Sequence, residues 1–352
     1  MAQNVASAPG PQMRQGPAFQ SPPDGRHLHS PGHRHTYGAL DLGTNNCRLL
    51  IARPNDGSFT VIDAFSRIVR LGDGLSQTGR LSDDAMDRAV GALSICADKL
   101  RRRNVSLARS VATEACRRAA NGRKFIERVR DETGIVLEII EPGEEARLAM
   151  LGCHKLLEPG DGPALIFDIG GGSTELVLID QVDGTPKIRS WWSAPWGVVS
   201  LTESEGREAL EGEDRVRAYR RMRERVRRSF DQFEAMLPGD RDGIRLLGTS
   251  GTVTTLASVH LALPSYDRRA VDGLHVPIDA MRSVSTMIAE MTFSERAALP
   301  CIGADRADLV VAGCAILEAI IEIWPATKLG VADRGIREGI LRSLMAKDGY
   351  LL

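Results

Sequence analysis

The sequence predicts an α/β protein of two related domains facing one cleft, and three observations carry that reading. Strand-like and helix-like stretches alternate from residue 37 onward. Two glycine-bearing hairpin sequences, "YGALDLGTNNCRLLIA" at 37–52 and "LIFDIGGGSTELVLID" at 165–180, share one pattern: apolar strand, Asp, aliphatic, Gly, polar turn, apolar strand. Asp41 and Asp168 open the two turns 127 residues apart. Each hairpin leads into more alternating strand and then a helix, 37–71 then 82–103 and 164–200 then 213–237. Asp-x-Gly turns are common in hairpins, so the repeat rests on this shared sequel more than on the turn itself.

With 352 residues, 43% apolar and 26% charged, the chain can bury the core of two domains. The expected division is a disordered tail at 1–36, domains at 37–158 and 159–335, and a terminal helix at 336–352 packing back on the first domain. The tail holds six of the 17 prolines, develops no hydrophobic period and lacks the apolar core of a secretory signal. Its "HLHSPGHRH" carries four of the seven histidines and reads as a solvated basic tail before it reads as a metal site. A net charge of −1 offers no global field for nucleic acid or membrane, so neither is expected as a partner. The six cysteines have no C-x-x-C pair, as expected of reduced thiols in a cytoplasm.

Taken in order, the first hairpin and its third strand are followed by a helix at 82–103, a strand at 106–112, a helix near 121–132, the strand "IVLEII" at 135–140 and a helix at about 144–157. After the second unit, "GIRLLGTSGTVTTLASVHLAL" at 243–263 reads as strand, glycine turn, helix. Helices at 279–291, 294–299 and 307–324 follow, then the strand "KLGVAD" and the helix "IREGILRSLMA". In the apolar stretch 308–324, Glu318 and Glu322 lie four apart on one expected solvent face, which makes it an amphipathic core helix and not a membrane span.

The chemistry is concentrated in the turns. Glycines let backbone N–H groups converge on an anion without side chains in the way. In "DIGGGSTE", Gly170, Gly171, Gly172 and Ser173 form such a nest, more than a two-residue hairpin turn requires. Asp168 and Glu175 flank it, and carboxylates beside phosphate call for a hard cation between them, suggesting Mg²⁺. "GTSGT" at 248–252 starts a helix, where Gly251 and Thr252 could bind an anion or serve equally as an N-cap. Glu144 and Glu145 open a helix after Pro142-Gly143, either as dipole partners or with a base facing the cleft. Arg117 and Arg118 end the strand at 112 and are within reach of a phosphate. The eight arginines between 215 and 228 surround an apolar stripe of Val216, Tyr219, Met222 and Val226, a solvated face or a polyanion track.

With "DLGTN" at 41, "VRLGDGL" at 69–75, "ATEACRRAANG", "EPGEEARL", "DIGGGSTEL", "GTSGTVTTL" and "DRGIREGIL" in this order, the chain resembles the exopolyphosphatase and guanosine pentaphosphate phosphohydrolase family over about 37–343. The resemblance implies two ribonuclease-H-like domains of the actin-like ATPase superfamily around a central cleft. By the same resemblance, Asp41, Gly43, Thr44 and Asn45 form the first phosphate loop, Asp168 to Glu175 the second, and Glu145 is the catalytic base. Arg117 and Arg70 match arginines that approach phosphate or a guanosine ligand, and Asp41, Asp168 and Glu175 would hold Mg²⁺. Relatives more often show Asp-x-Gly-Ser-Asn-Ser where this chain has Thr44-Asn45-Asn46, and larger members carry a further helical domain. The implied reaction is removal of the terminal phosphoryl group of polyphosphate or guanosine pentaphosphate by a cytoplasmic homodimer. Two alternative readings stay open: an actin-fold kinase or ATPase, which would use the same two turns, and a non-catalytic polyphosphate or alarmone sensor, which would bind without turnover.

Overall fold

The computed structural model describes residues 35–160, 162–182, 185–239 and 243–350. Residues 1–34 of the tail, with three of its four histidines, lie outside them. Two mixed sheets organise the chain. The first comprises β1 (Tyr37–Leu42), β2 (Asn46–Asn55), β3 (Ser58–Ile68), β4 (Leu107–Ala112) and β5 (Leu137–Ile139), in the order β3-β2-β1-β4-β5. The second comprises β6 (Ala164–Ile169), β7 (Thr174–Val182), β8 (Thr185–Ala194), β9 (Arg245–Thr249), β10 (His275–Pro277) and β11 (Lys328–Ala332), in the order β10-β11-β9-β6-β7-β8.

Apart from the added edge strand β10, the two sheets share one plan. In each, an antiparallel meander (β1-β2-β3, β6-β7-β8) continues into two parallel strands (β4-β5, β9-β11). A register shift falls ten residues after the aspartate in both, after Ile51 and after Leu178. A bulge bends its strand at a fixed place, so its recurrence at one offset marks a duplicated unit.

The main helices are α1 (Asp83–Arg102), α2 (Glu114–Arg118), α3 (Gly122–Thr133), α4 (Pro142–Cys153), α5 (Val198–Glu205), α6 (Arg215–Ser229), α7 (Gly251–His260), α8 (Ile278–Glu290), α9 (Val310–Ile323) and α10 (Ile336–Lys347), with helical segments of six residues or fewer between them. Three expectations are corrected. Strand does not continue to 200: β8 ends at Ala194, and Gly197 begins a helix whose first turn is buried. Arg117 and Arg118 do not end a strand but lie on the short helix α2. On the Glu318 and Glu322 face of α9, Glu322 is exposed but Glu318 is not, because Arg223 of α6 reaches them at 3.2 and 3.1 Å and leaves the Glu318 side chain 11% exposed.

Helix α4 has apolar side chains on two faces. Leu148 and Ala149 join β1, β2 and α10 in one buried cluster. Ala146, Met150 and Cys153 join β6, β7 and Leu247 of β9 in another. The helix is thus seated against both sheets. α10 crosses it closely: a methyl on Gly339 would lie 2.0 Å from the Leu148 carbonyl oxygen, so only a hydrogen fits. Among the described residues, no helix is long and apolar enough to cross a membrane.

Candidate active site

A cavity of about 140 Å³ lies between the two sheets, and every residue expected at the site lines it except Arg70 and Arg117. Its walls are the two repeated turns. Gly43 N–H donates to the Asn46 carbonyl at 2.9 Å, and Gly170 N–H to the Ser173 carbonyl at 3.0 Å, so the turns close in the same way.

Backbone bonds also aim the turns. Val198 and Val199 N–H donate to the carbonyls of Gly170 (3.0 Å) and Gly171 (2.8 Å), and Ser200 Oγ donates to Gly172 (3.0 Å). In a trans peptide the C=O and the following N–H point in opposite directions. Tying three carbonyls back to the start of α5 therefore turns the N–H groups of Gly171, Gly172 and Ser173 the other way, as a nest requires. In the first turn, Gly72 N–H donates to Thr44 O (2.9 Å), and the Val69 and Arg70 N–H groups to Asn45 O (2.9 and 3.0 Å). The "VRLGDGL" segment thus serves as the backing of the first turn.

The glycines have a second purpose. A methyl on Gly171 would sit 2.9 Å from Thr44 Cβ and 3.1 Å from Asn45 N. Their lack of side chains lets the turn of one sheet press against the turn of the other.

The carboxylates divide sharply. Glu144 is held by Arg109 (2.7 Å) and Arg147 (2.7 and 2.9 Å); burial alone would raise its pKa, but these hydrogen bonds outweigh it and leave the carboxyl below its ordinary value. Glu145, one residue on and 6% exposed, faces the cavity. Burial, then the charges of Glu175, Asp41 and Asp168, hold its pKa well above the ordinary range against the opposing pull of Arg117. Burial pushes Asp41 up as well, Asp168 to about 6 and Glu175 to about 7.

Arg117 donates to Glu145 Oε2 at 3.3 Å and to the Ile140 carbonyl at 2.6 Å, so it stands behind the glutamate and not in the cavity lining. Arg70 is farther removed: its guanidinium pairs with Asp308 at 2.9 Å and bonds the Asp305 carbonyl. It links the first sheet's loop to the start of α9. Arg48 and Arg306 line the cavity where these two were expected. Arg48 lies directly opposite Asp41 in the β1–β2 ladder, as Glu175 lies opposite Asp168 in β6–β7. Overlaying the two hairpin sequences would have found it.

The three expected metal carboxylates are not gathered into one ligand set. Among the described residues no three His, Cys, Asp or Glu side chains are placed to hold an ion together. Glu175 Oε1 instead accepts from Ser173 Oγ (2.7 Å) and Ser193 Oγ (2.9 Å). Asp41 Oδ1, by contrast, is buried without a hydrogen-bond partner. An all-oxygen site with one or two protein carboxylates fits Mg²⁺, which keeps waters and takes its other ligands from substrate phosphates.

The sequence profile of the Ppx/GppA phosphatase family matches residues 50–348. The chain belongs to this family. It is 32% identical over 320 residues to exopolyphosphatase 2 of Mycobacterium tuberculosis, covering 87% of this chain and 97% of that one. It is 28% identical over 305 residues to the guanosine-5'-triphosphate,3'-diphosphate pyrophosphatase of Aliivibrio fischeri, covering 86% of this chain and 58% of that protein. The crystal structure of the Aquifex aeolicus Ppx/GppA family member superposes with a TM-score of 0.72 at 32% identity, over 89% of this chain and 98% of that one. The fold is the two-domain α/β fold of the actin-like ATPases, as the resemblance implied.

Proposed function

We propose that this Ppx/GppA chain is a Mg²⁺-dependent phosphohydrolase that removes the terminal phosphoryl group of inorganic polyphosphate or of guanosine pentaphosphate. The observation that carries the reading is Glu145, a buried carboxylate facing a cavity walled by two phosphate-type turns. The names of the two relatives supply the substrate classes.

Glu145 accepts the proton of the attacking water, and Arg117 fixes its other oxygen so that the carboxylate stays oriented. The N–H groups of the second turn and the Thr44 hydroxyl hold the terminal phosphate, while the Ser173 hydroxyl stays on Glu175. Arg306 counters charge that builds on its oxygens, the source of most phosphoryl-transfer catalysis. Asp41 and Asp168 would hold the Mg²⁺, which when bound neutralises phosphate charge and lowers the carboxylates' affinity for protons. The test is orthophosphate release measured side by side from polyphosphate, guanosine pentaphosphate and ATP, with and without Mg²⁺. Release from neither of the first two, or ADP formed without orthophosphate, overturns the reading.

A further inference from the structure

Behind the active-site cavity lies a second one of about 40 Å³. The two share Asp41, Arg48, Asp168, Ser250 and Ile336 as a common wall. Since a water needs roughly 10–15 Å³ measured this way, the rear cavity has room for about three waters, or for one tetrahedral oxyanion in their place. Its outer rim reaches solvent, because the side chain of Arg334 is 36% exposed and that of Asp333 26%.

The polar groups around it are of two kinds. Most are engaged: Arg334 with Asp272 at 2.8 Å, Asp333 with Arg268 at 3.1 Å, Thr249 Oγ1 with the Arg334 carbonyl at 2.6 Å, and Gly335 N–H with Glu338 at 2.9 Å. Three donors are not. Ser250 Oγ is buried without a partner, and no hydrogen bond or ion pair joins Arg48 or Arg337 to another described residue. These two arginines are half-buried; Arg48 acts on both Asp41 and Asp168, and Arg337 on Glu338 and Asp41. Were a cation to neutralise the two aspartates, Arg48, Arg268, Arg334 and Arg337 would face only Asp272, Asp333 and Glu338, leaving one guanidinium charge in excess at the rear, together with a free hydroxyl.

We propose that the rear cavity binds orthophosphate, the reaction product, which passes behind the aspartate pair while the shortened substrate keeps its place in front. The proposal rests on the phosphohydrolase reading. A chain-shaped substrate fills the front entrance after each cleavage, so a product that left the same way would need the substrate to withdraw. A rear exit separates the two.

The experiment is equilibrium dialysis of isotope-labelled orthophosphate in Mg²⁺ buffer, with the front cavity filled by a methylene-bridged polyphosphate analogue. Labelled phosphate is expected to bind saturably despite the analogue. Ser250→Ala, whose hydroxyl has no protein partner to lose, is expected to weaken that binding about tenfold with the melting temperature unchanged. Arg337→Gln is expected to weaken it at least as much, and its melting curve shows whether the variant has folded. Displacement of the label by the analogue, or binding unaffected by both substitutions, overturns the proposal. Absence of saturable binding does the same and leaves Arg48 and Arg337 as counter-charges to the aspartates. The dialysis needs no turnover, so a protein that binds phosphate behind the analogue yet hydrolyses nothing refutes the phosphohydrolase reading and not the site.

Discussion

At the scale of single residues, adjacent glutamates have opposite fates, and their substitutions separate. Glu145→Gln keeps size and hydrogen bonding but cannot take a proton, and turnover is expected to fall about 10²- to 10⁴-fold with substrate binding retained. Glu144→Gln weakens the half-buried cluster with Arg109 and Arg147 and is expected to lower the melting temperature more than the turnover number. Steady-state kinetics and calorimetry on both variants check this; equal losses of turnover would remove the assignment. The raised carboxylates also set a pH dependence. Asp168 and Glu175 titrate near 3.8 and 4.5 when unperturbed but near 6 and 7 in the fold. The fold therefore binds protons that the unfolded chain has released, and stability falls as pH rises from about 4 to about 7. The metal-free protein is expected to melt lower at about pH 8 than at about pH 5.5, and Mg²⁺ is expected to raise the melting point more at the higher pH. Which glutamate faces the cavity was not legible in "EPGEEARL", because both occupy a first helical turn. Arg109, from a different strand, makes the distinction.

At the scale of elements, the turns and the order of strands were readable because period and punctuation are local properties. The pairing of α6 with α9 was not. Eight arginines in one helix look like a surface track until Glu318 and Glu322 of α9, and Glu205 of α5, are brought against them. The buried stripe shifts accordingly, with Ala218 inside and Val216 only half-buried. The positions of Arg70 and Arg117 outside the cavity lining were hidden for a similar reason, since nothing near either residue in sequence discloses Asp308 or Glu145 as its partner. One element-level test concerns the crossing of α4 and α10. Gly339→Ala forces a methyl against the Leu148 carbonyl oxygen, so the helix bearing Glu145 must move. Both stability and turnover are expected to fall, the latter without a matching rise in KM, as measured by calorimetry and kinetics on one preparation.

At the scale of the whole molecule, duplication explains both the symmetry of the cleft and its polarity. Equivalent positions opposite the two aspartates carry Arg48 on one side and Glu175 on the other, so one plan supplies a cationic wall and an anionic wall. The Arg70–Asp308 pair spans the two sides beyond the cavity. Arg70→Ala and Asp308→Asn are each expected to raise KM several-fold, and the double variant no further than the larger single effect. A double-mutant cycle checks the coupling, expected at about 1 kcal/mol for so partly exposed a pair. With most of the α6 arginines already matched to carboxylates, little basic surface remains for a long polymer. Partial digestion of long polyphosphate is expected to leave a ladder of intermediate lengths on a gel, and a jump from full length to orthophosphate would contradict it. The seating of α4 against both sheets has a final consequence. An axle gripped from two sides resists any wide swing of the halves it joins, because opening the cleft would strip Leu148 and Ala149, or Ala146 and Met150, from their packing. A thin phosphate chain is therefore expected to reach Glu145 more readily than a bulky phosphoester, and orthophosphate release from the two measured side by side checks it.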